Sequence, residues 1–415
     1  MNDELAAVAR TLETWPDFDG DAESPPVQAN HALIAASLLL GLGNESAARL
    51  MAERATAYQS GAASENTARR VVATLDRRWN DAADAEVRTY DTYRSDGTLS
   101  RAAWYARVGG NTIRAALLRR RAVSDELGIT GRAFAADLQI EGATPEKVLS
   151  TVDAFADIGI PDEDALFRSR FLFSSLAIDR ELGPALSNAV RKRLGQDPYG
   201  RLLQLFAARE HAASHRFSAL VDLLEPGFGG VRAKPAHQQL LGTGYLLPYL
   251  ALGLLETGRA QDVPPLLAVW RQRTGGIDPY ERAATAALEA SAGHHDLAVR
   301  ALWHGYVVTP DDEATSMPPQ LLLLEIAEHW YQRTHDDRYR AFMAKIARLT
   351  ENTDPYPWAY AFEARYTNDP ARRIEATAAT LYLDPLSMRL AALPPDVIDA
   401  ARRLLATSNP MLAQR

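Results

Sequence analysis

The chain is predicted to be all-α, a row of antiparallel helix hairpins stacked side by side, and three observations predict it. Apolar residues recur at three- and four-residue spacing almost throughout, as in 31–43, 46–58 and 319–333. Alternating runs of β-branched residues, the mark of half-buried strands, are missing. Helix-start signals return at a nearly constant interval through the second half of the chain. With 415 residues, 47 % of them apolar and 24 % charged, the chain has ample material for a core and excludes wholesale disorder. That length allows two or three domains or one repeat array.

Composition also removes function classes. There is no cysteine, so disulfides, zinc–thiolate sites, iron–sulfur clusters and cysteine nucleophiles are excluded. A net charge of −8, with a pI near 5.7, argues against a nucleic-acid partner, which needs a basic face for phosphates. The basic residues are nearly all arginine; with abundant alanine, this bias suggests a GC-rich bacterial genome. The first fifteen residues are acidic and amphipathic, without the basic start and apolar run of a secretory signal. A cytoplasmic location is expected, or a periplasmic one if Met1 replaces a removed export signal. The longest uncharged stretch, 240–255, is too short to span a bilayer and contains Gly242, Gly244 and Pro248; it reads as a buried helix.

Taken in order, residues 1–79 are expected to form N-terminal hairpins, with Gly43 at the turn of 29–58 and the small residues Ala36, Ala48 and Ala55 where its helices approach. Residues 80–145 read as an irregular helical segment. The polar run 88–97 is expected to be a long loop, Ser100 to cap a helix ending at Val108, and Gly109–Asn111 to turn into an arginine-rich helix. Thr144, Pro145 and Glu146 combine a cap, a first-turn proline and an early acid, so a helix starts there.

From 146 to 385 a repeat is expected. Asp-Pro-Tyr occurs at 197–199, 278–280 and 354–356, and Asp-Pro again at 384–385; each is read as the start of a helix, because aspartate caps and proline suits the first helical position. Phase markers at Pro161, Pro198, Gly244, Pro279, Pro318 and Pro355 are separated by 37, 46, 35, 39 and 37 residues. The long interval contains the Gly/Pro cluster 225–230, read as a loop insertion. Residues 386–415 are expected to carry a capping helix over 395–406 that covers the last apolar face.

Hairpins of this length, with Ala286, Gly293, Ala298 and Pro310 at the small-residue, turn and terminal positions of 279–310, resemble the tetratricopeptide repeat family. The N-terminal unit is similar through Ala36, Gly43, Ala48 and Ala55. The unit starting at 244 has Gly258 at its turn but Val263 where alanine is usual, and the unit at 355 has Asn368-Asp369 in its turn. The resemblance implies a right-handed superhelix, a TPR-like α-solenoid, acting as a non-enzymatic scaffold for protein–protein interaction.

It also implies a concave surface lined by the first helix of each hairpin. Tyrosine follows the phase marker at Tyr199, Tyr245, Tyr280 and Tyr356, and the same count adds Arg209, Glu363 and Tyr366. Rigid amphipathic tyrosines beside arginine suit a protein or peptide segment, with polysaccharide as a second ligand class. The competing reading is that each tyrosine fills the interface between hairpins.

Other constellations read as structural. His211 and His215 lie at i and i+4 but lack the glutamate after the first histidine that zinc proteases use, and His215 falls at a helix turn. His294-His295-Asp296 sits in a repeat turn; His304 and His329, beside Trp303 and Trp330, are expected to be packed. The acidic run 17–23 lacks the glycine and glutamate of a calcium loop. Residues 119–121 are three arginines pointing around a helix, read as a solvated face. No catalytic residue, metal site, cofactor or membrane span is expected. Two alternatives stay open: a periplasmic TPR scaffold of an exopolysaccharide secretion system, and an (α/α)-toroid carbohydrate-active enzyme using paired carboxylates.

Overall fold

The computed structural model describes residues 43–57, 62–94, 98–125, 200–233, 241–274, 278–307, 319–353, 356–385 and 387–409, with scattered positions between 10 and 40, 144 and 150, and 185 and 192. Every regular element among them is helical. The N-terminal helices are α1 (Glu45–Ala57), α2 (Ala62–Leu75), α3 (Trp79–Tyr93), α4 (Thr98–Val108) and α5 (Thr112–Asp125). Then come α6 (Gly200–Ala213), α7 (Phe217–Ala233), α8 (Leu247–Glu256), α9 (Val263–Thr274), α10 (Pro279–Ser291) and α11 (His295–Val307). The last are α12 (Pro319–Thr334), α13 (Asp337–Thr353), α14 (Pro357–Tyr366), α15 (Pro370–Leu383) and α16 (Pro395–Thr407). Short 3₁₀ turns at Leu241–Leu246, Ala260–Asp262 and Met388–Ala392 join them.

Within each described stretch consecutive helices pack as antiparallel neighbours, and the first helices of successive hairpins also touch, α8 on α10 and α10 on α12. This is an α-solenoid of stacked hairpins. Its core is largely alanine and leucine: Ala283, Ala284, Ala286, Ala287 and Ala298 are essentially unexposed, which lets α10 and α11 approach closely. Leu321, Leu322, Leu323 and Leu324 are four consecutive residues at 0 % exposure, because α12 is enclosed by α10, α11, α13 and α14. Each such leucine contributes about 1.5–3 kcal/mol by burial.

Sequence signals explain the boundaries. Asp278 accepts a hydrogen bond from the Tyr280 N–H, with Pro279 at the first helical position. Asp369 caps α15 in the same way through Ala371 and Arg372. Gly293, at φ +79°, makes the turn between α10 and α11, where a side chain would be strained; Gly43 and Gly258 hold the same conformation at their turns. The helix end at Val108, the Gly110 turn and the Asn111 cap on Arg114 N–H lie where the sequence puts them, as does α16, but α4 starts at Thr98, so Ser100 lies inside its first turn and does not cap it. The uncharged stretch near 240–255 is a 3₁₀ turn followed by the buried α8. No helix among the described residues is long and apolar enough to cross a membrane.

Four more expectations are corrected. Residues 88–93, read as loop, continue α3, because Ala83, Glu86 and Tyr90 keep one buried stripe going to a left-handed Arg94. Residues 225–230, read as an insertion, lie inside α7. Leu220, Leu224 and Phe228 keep helical spacing across Pro226, and Phe228 packs near Trp270. Asp384 does not start a helix: it ends α15, and its carbonyl accepts from Ser387 N–H. The unit marked at Pro355 begins two residues later, at Pro357, with Tyr356 as the flanking residue. Of the other markers, Pro161, Pro198 and Pro318 lie outside the described residues, as does Pro310.

The N-terminal helices do not stand apart. One apolar cluster joins Trp79, Tyr90, Leu99, Tyr105 and Val108 with Tyr360, Leu383 and Leu390. The Tyr382 hydroxyl donates to the Arg107 carbonyl at 2.9 Å, and α2 touches α13. Helices α2–α5 are thereby docked on the C-terminal hairpins.

Candidate functional site

Helix α12 carries Glu325, Glu328 and His329 at i, i+3 and i+4, one polar stripe on an otherwise buried helix. Around that stripe meet Arg209 of α6, Tyr249 of α8, Arg365 and Tyr366 of α14, and Arg389 of the last 3₁₀ turn. Arg209 Nε donates to Glu325 Oε1 at 3.1 Å, and the Tyr249 hydroxyl donates to the other oxygen. Arg389 bridges the two acids, Nη2 to Glu325 Oε1 at 3.1 Å and Nη1 to Glu328 Oε2 at 2.9 Å. Arg365 and the Tyr366 hydroxyl both donate to Glu328 Oε1 at 2.5 Å. The Arg389 guanidinium lies 4.0 Å from the Phe362 ring centroid, a cation–π contact.

Among the described residues three guanidinium groups thus face two carboxylates. Burial raises the Glu328 carboxyl, but Arg389 and Arg365 outweigh it and hold the group below the ordinary glutamate range. Burial, reinforced by Glu325, keeps the Tyr249 phenol neutral far above its usual range, so its O–H is held to donate to Glu325. Beyond this network His329 Nε2 lies 3.0 Å from Glu256 Oε1, whose partner oxygen pairs with Arg333. Burial lowers the His329 pKa against the pull of Glu256, leaving the imidazole neutral at neutral pH.

A second ionic cluster lies on α13–α15. Arg372 pairs with Glu351 and Glu363, and with Glu375 at 3.2 Å; its Nε donates to Glu363 Oε1 at 3.0 Å. Both glutamates are 2 % exposed, and Glu351 Oε1 has no hydrogen-bond partner. Burial first, and then the Glu363 charge, push the Glu351 carboxyl well above the ordinary range despite Arg372.

The residues singled out in the sequence separate into different places. Arg209 and Tyr366 join the α12 network, linked through Glu325, Arg389 and Glu328. Glu363 belongs to the second cluster. Tyr245 and Tyr280 are buried in the main core, Tyr280 so close over Gly244 that a Cβ there would meet its ring at 3.0 Å. Tyr356 is half-buried and stacks on Trp358 at 5.4 Å. Tyr245 and Tyr280 are thus packed within the array. Tyr199 lies outside the described residues. Glu325, Glu328, Arg365, Arg389 and Tyr249 were missed; the available signal was the pair of acids interrupting the leucine-rich stripe of 319–333.

Among the described residues no group of three His, Asp or Glu could hold a metal ion. His215 sits in a left-handed turn, its ring 6.3 Å from that of His329. His294 meets Glu289 at 3.0 Å and His295 meets the Tyr339 hydroxyl at 3.0 Å. His329 is packed as expected, whereas His304 is exposed, on the side of α11 away from Trp303 and Tyr306. Arg121 pairs with Asp91, and the run 17–23 lies outside the described residues.

No family model and no curated protein matches this chain. Among solved structures, the crystal structure of the P58(IPK) TPR domain aligns with it at 14 % identity, covering 80 % of this chain and 95 % of that one, at a TM-score of 0.22. The architecture therefore rests on the helices and their packing.

Proposed function

We propose that the protein is a non-enzymatic helical-repeat scaffold that binds a protein or peptide segment on its concave face, along the α12 network. The observation that carries this reading is that the first helices α6, α8, α12 and α14, of which α6 and α8 are not neighbours of α12 in the array, meet through one row of charged and phenolic groups. Hairpin stacking alone needs apolar contacts; a charged row on the inner helices supplies oriented donors and acceptors for a partner's backbone and side chains. Arg209 and Tyr366 stay in the site; Tyr249, Glu325, Glu328, Arg365 and Arg389 are added to it.

A displayed peptide library selected on the protein tests the proposal. Enriched peptides should lose about tenfold or more in affinity on Arg389→Ala, the scale of one broken charged contact. Leu297→Ser, at an exposed position of α11, should leave binding unchanged. Failure to enrich any peptide, or equal binding by the Arg389→Ala protein, would overturn it.

A further inference from the structure

The second cluster faces a junction that hairpin stacking does not require. Glu351 lines a small pocket of about 10 Å³, whose remaining walls are Leu40, Glu45, Thr74, Leu75, Arg77 and Trp79, all from the N-terminal region. The residue is thus the point where α13 of the C-terminal array meets the helices docked on it. Its Oε2 is taken by Arg372, which Glu363 and Glu375 share; its Oε1 is buried and unpartnered.

We infer that Glu351 is a protonation-controlled latch between the N-terminal helices and the C-terminal hairpins, tight when its carboxyl is neutral and loosened when it ionises. A neutral carboxyl can share its proton with Glu363 and leaves Arg372 to a single buried charge. An ionised one places two carboxylates on that guanidinium and a second charge against Leu40, Leu75 and Trp79.

The facing groups set the sign. From α14 comes Glu363, with Tyr360 buried nearby; from α15 come Arg372 and Glu375; from α1, Glu45; and from the turn after α2, Arg77. Arg77 and Arg372 favour the ionised form, but burial is the largest influence and favours the neutral one. Leu40, Leu75 and Trp79 of the N-terminal region form part of that cover; undocking exposes that side, so docking raises proton affinity at Glu351 and weakens as pH rises.

Hydrogen exchange of the whole protein, corrected for the pH dependence of chemical exchange, reads the latch. Between pH 5 and 8, protection in α2 and α3 should fall about tenfold or more, while α8–α11 hold steady. In Glu351→Gln, which keeps the shape of the neutral acid, protection of α2 and α3 should be high and flat. A native profile that is flat, or a fall that persists unchanged in Glu351→Gln, would overturn the inference. If Glu351→Gln also alters α8–α11, the native pH profile decides alone.

Discussion

The two buried ionic clusters are built from the same residue types with opposite stoichiometry. Among the described residues, Arg209, Arg365 and Arg389 surround Glu325 and Glu328 on α12, whereas on α13–α15 Arg372 alone pairs with Glu351, Glu363 and Glu375, with Arg77 near Glu351 across the pocket. The consequence is a reversal of proton affinity. Excess guanidinium overcomes burial at Glu328 and depresses its carboxyl, whereas burial and a second carboxylate raise Glu351. Buried ion pairs are poor stabilisers on balance, so both arrangements point to roles other than holding the helices together. On the function proposed here the arginine-rich cluster stays charged for a partner, and on the inference drawn from Glu351 the carboxylate-rich one changes charge.

The largest expected effect that sharpens this contrast is Arg372→Ala, which leaves buried carboxylates uncompensated and should cost about 3–5 kcal/mol in urea unfolding. Arg389→Ala removes one of three cations, and Glu325 and Glu328 keep Arg209 and Arg365; a cost of about 1.5–3 kcal/mol is expected by the same measurement. The reverse ranking would break the stoichiometric account.

The pH responses follow with opposite signs. The folded pKa of Glu328 is depressed, so its contribution is present above the ordinary glutamate value and is lost as pH falls through the folded one. The folded pKa of Glu351 is raised, so its contribution is present at acid pH and is lost as pH rises past the ordinary value toward the folded one. Gln mimics the neutral acid, so across pH 4–8 both variants should part from the native protein as pH rises, Glu328→Gln becoming less stable than native and Glu351→Gln more stable. The smallest effect is at a surface cap: Asp369→Ala should cost about 1 kcal/mol in the same assay, with no pH signature of either cluster.

How much of this was legible in the sequence depends on the range of the interaction. Helix class, the turn glycines Gly43, Gly258 and Gly293, and the caps Asp278 and Asp369 are set by neighbours a few residues away, and they stand where local chemistry puts them. The breaks placed at 88–93 and 225–230 failed because polarity and Pro226 were weighed above stripes of buried residues contacted from other helices. The ionic clusters join residues up to 116 positions apart, as in Arg209 and Glu325, and no local pattern specifies such a pair. Tyr245, Tyr280 and Tyr356 share a sequence register but sit in a 3₁₀ turn, the first turn of α10 and the residue before α14, and local packing, as of Tyr280 on Gly244 and Tyr356 on Trp358, sets each ring.

The opposition between the clusters is tested most directly by following the side-chain carboxyl carbons of ¹³C-labelled glutamate by NMR through a pH titration. The Glu328 and Glu351 signals would be assigned from their disappearance in Glu328→Gln and Glu351→Gln. The account predicts that Glu328 titrates below, and Glu351 above, the ordinary glutamate value of about 4.3. Two midpoints on the same side of that value would contradict it.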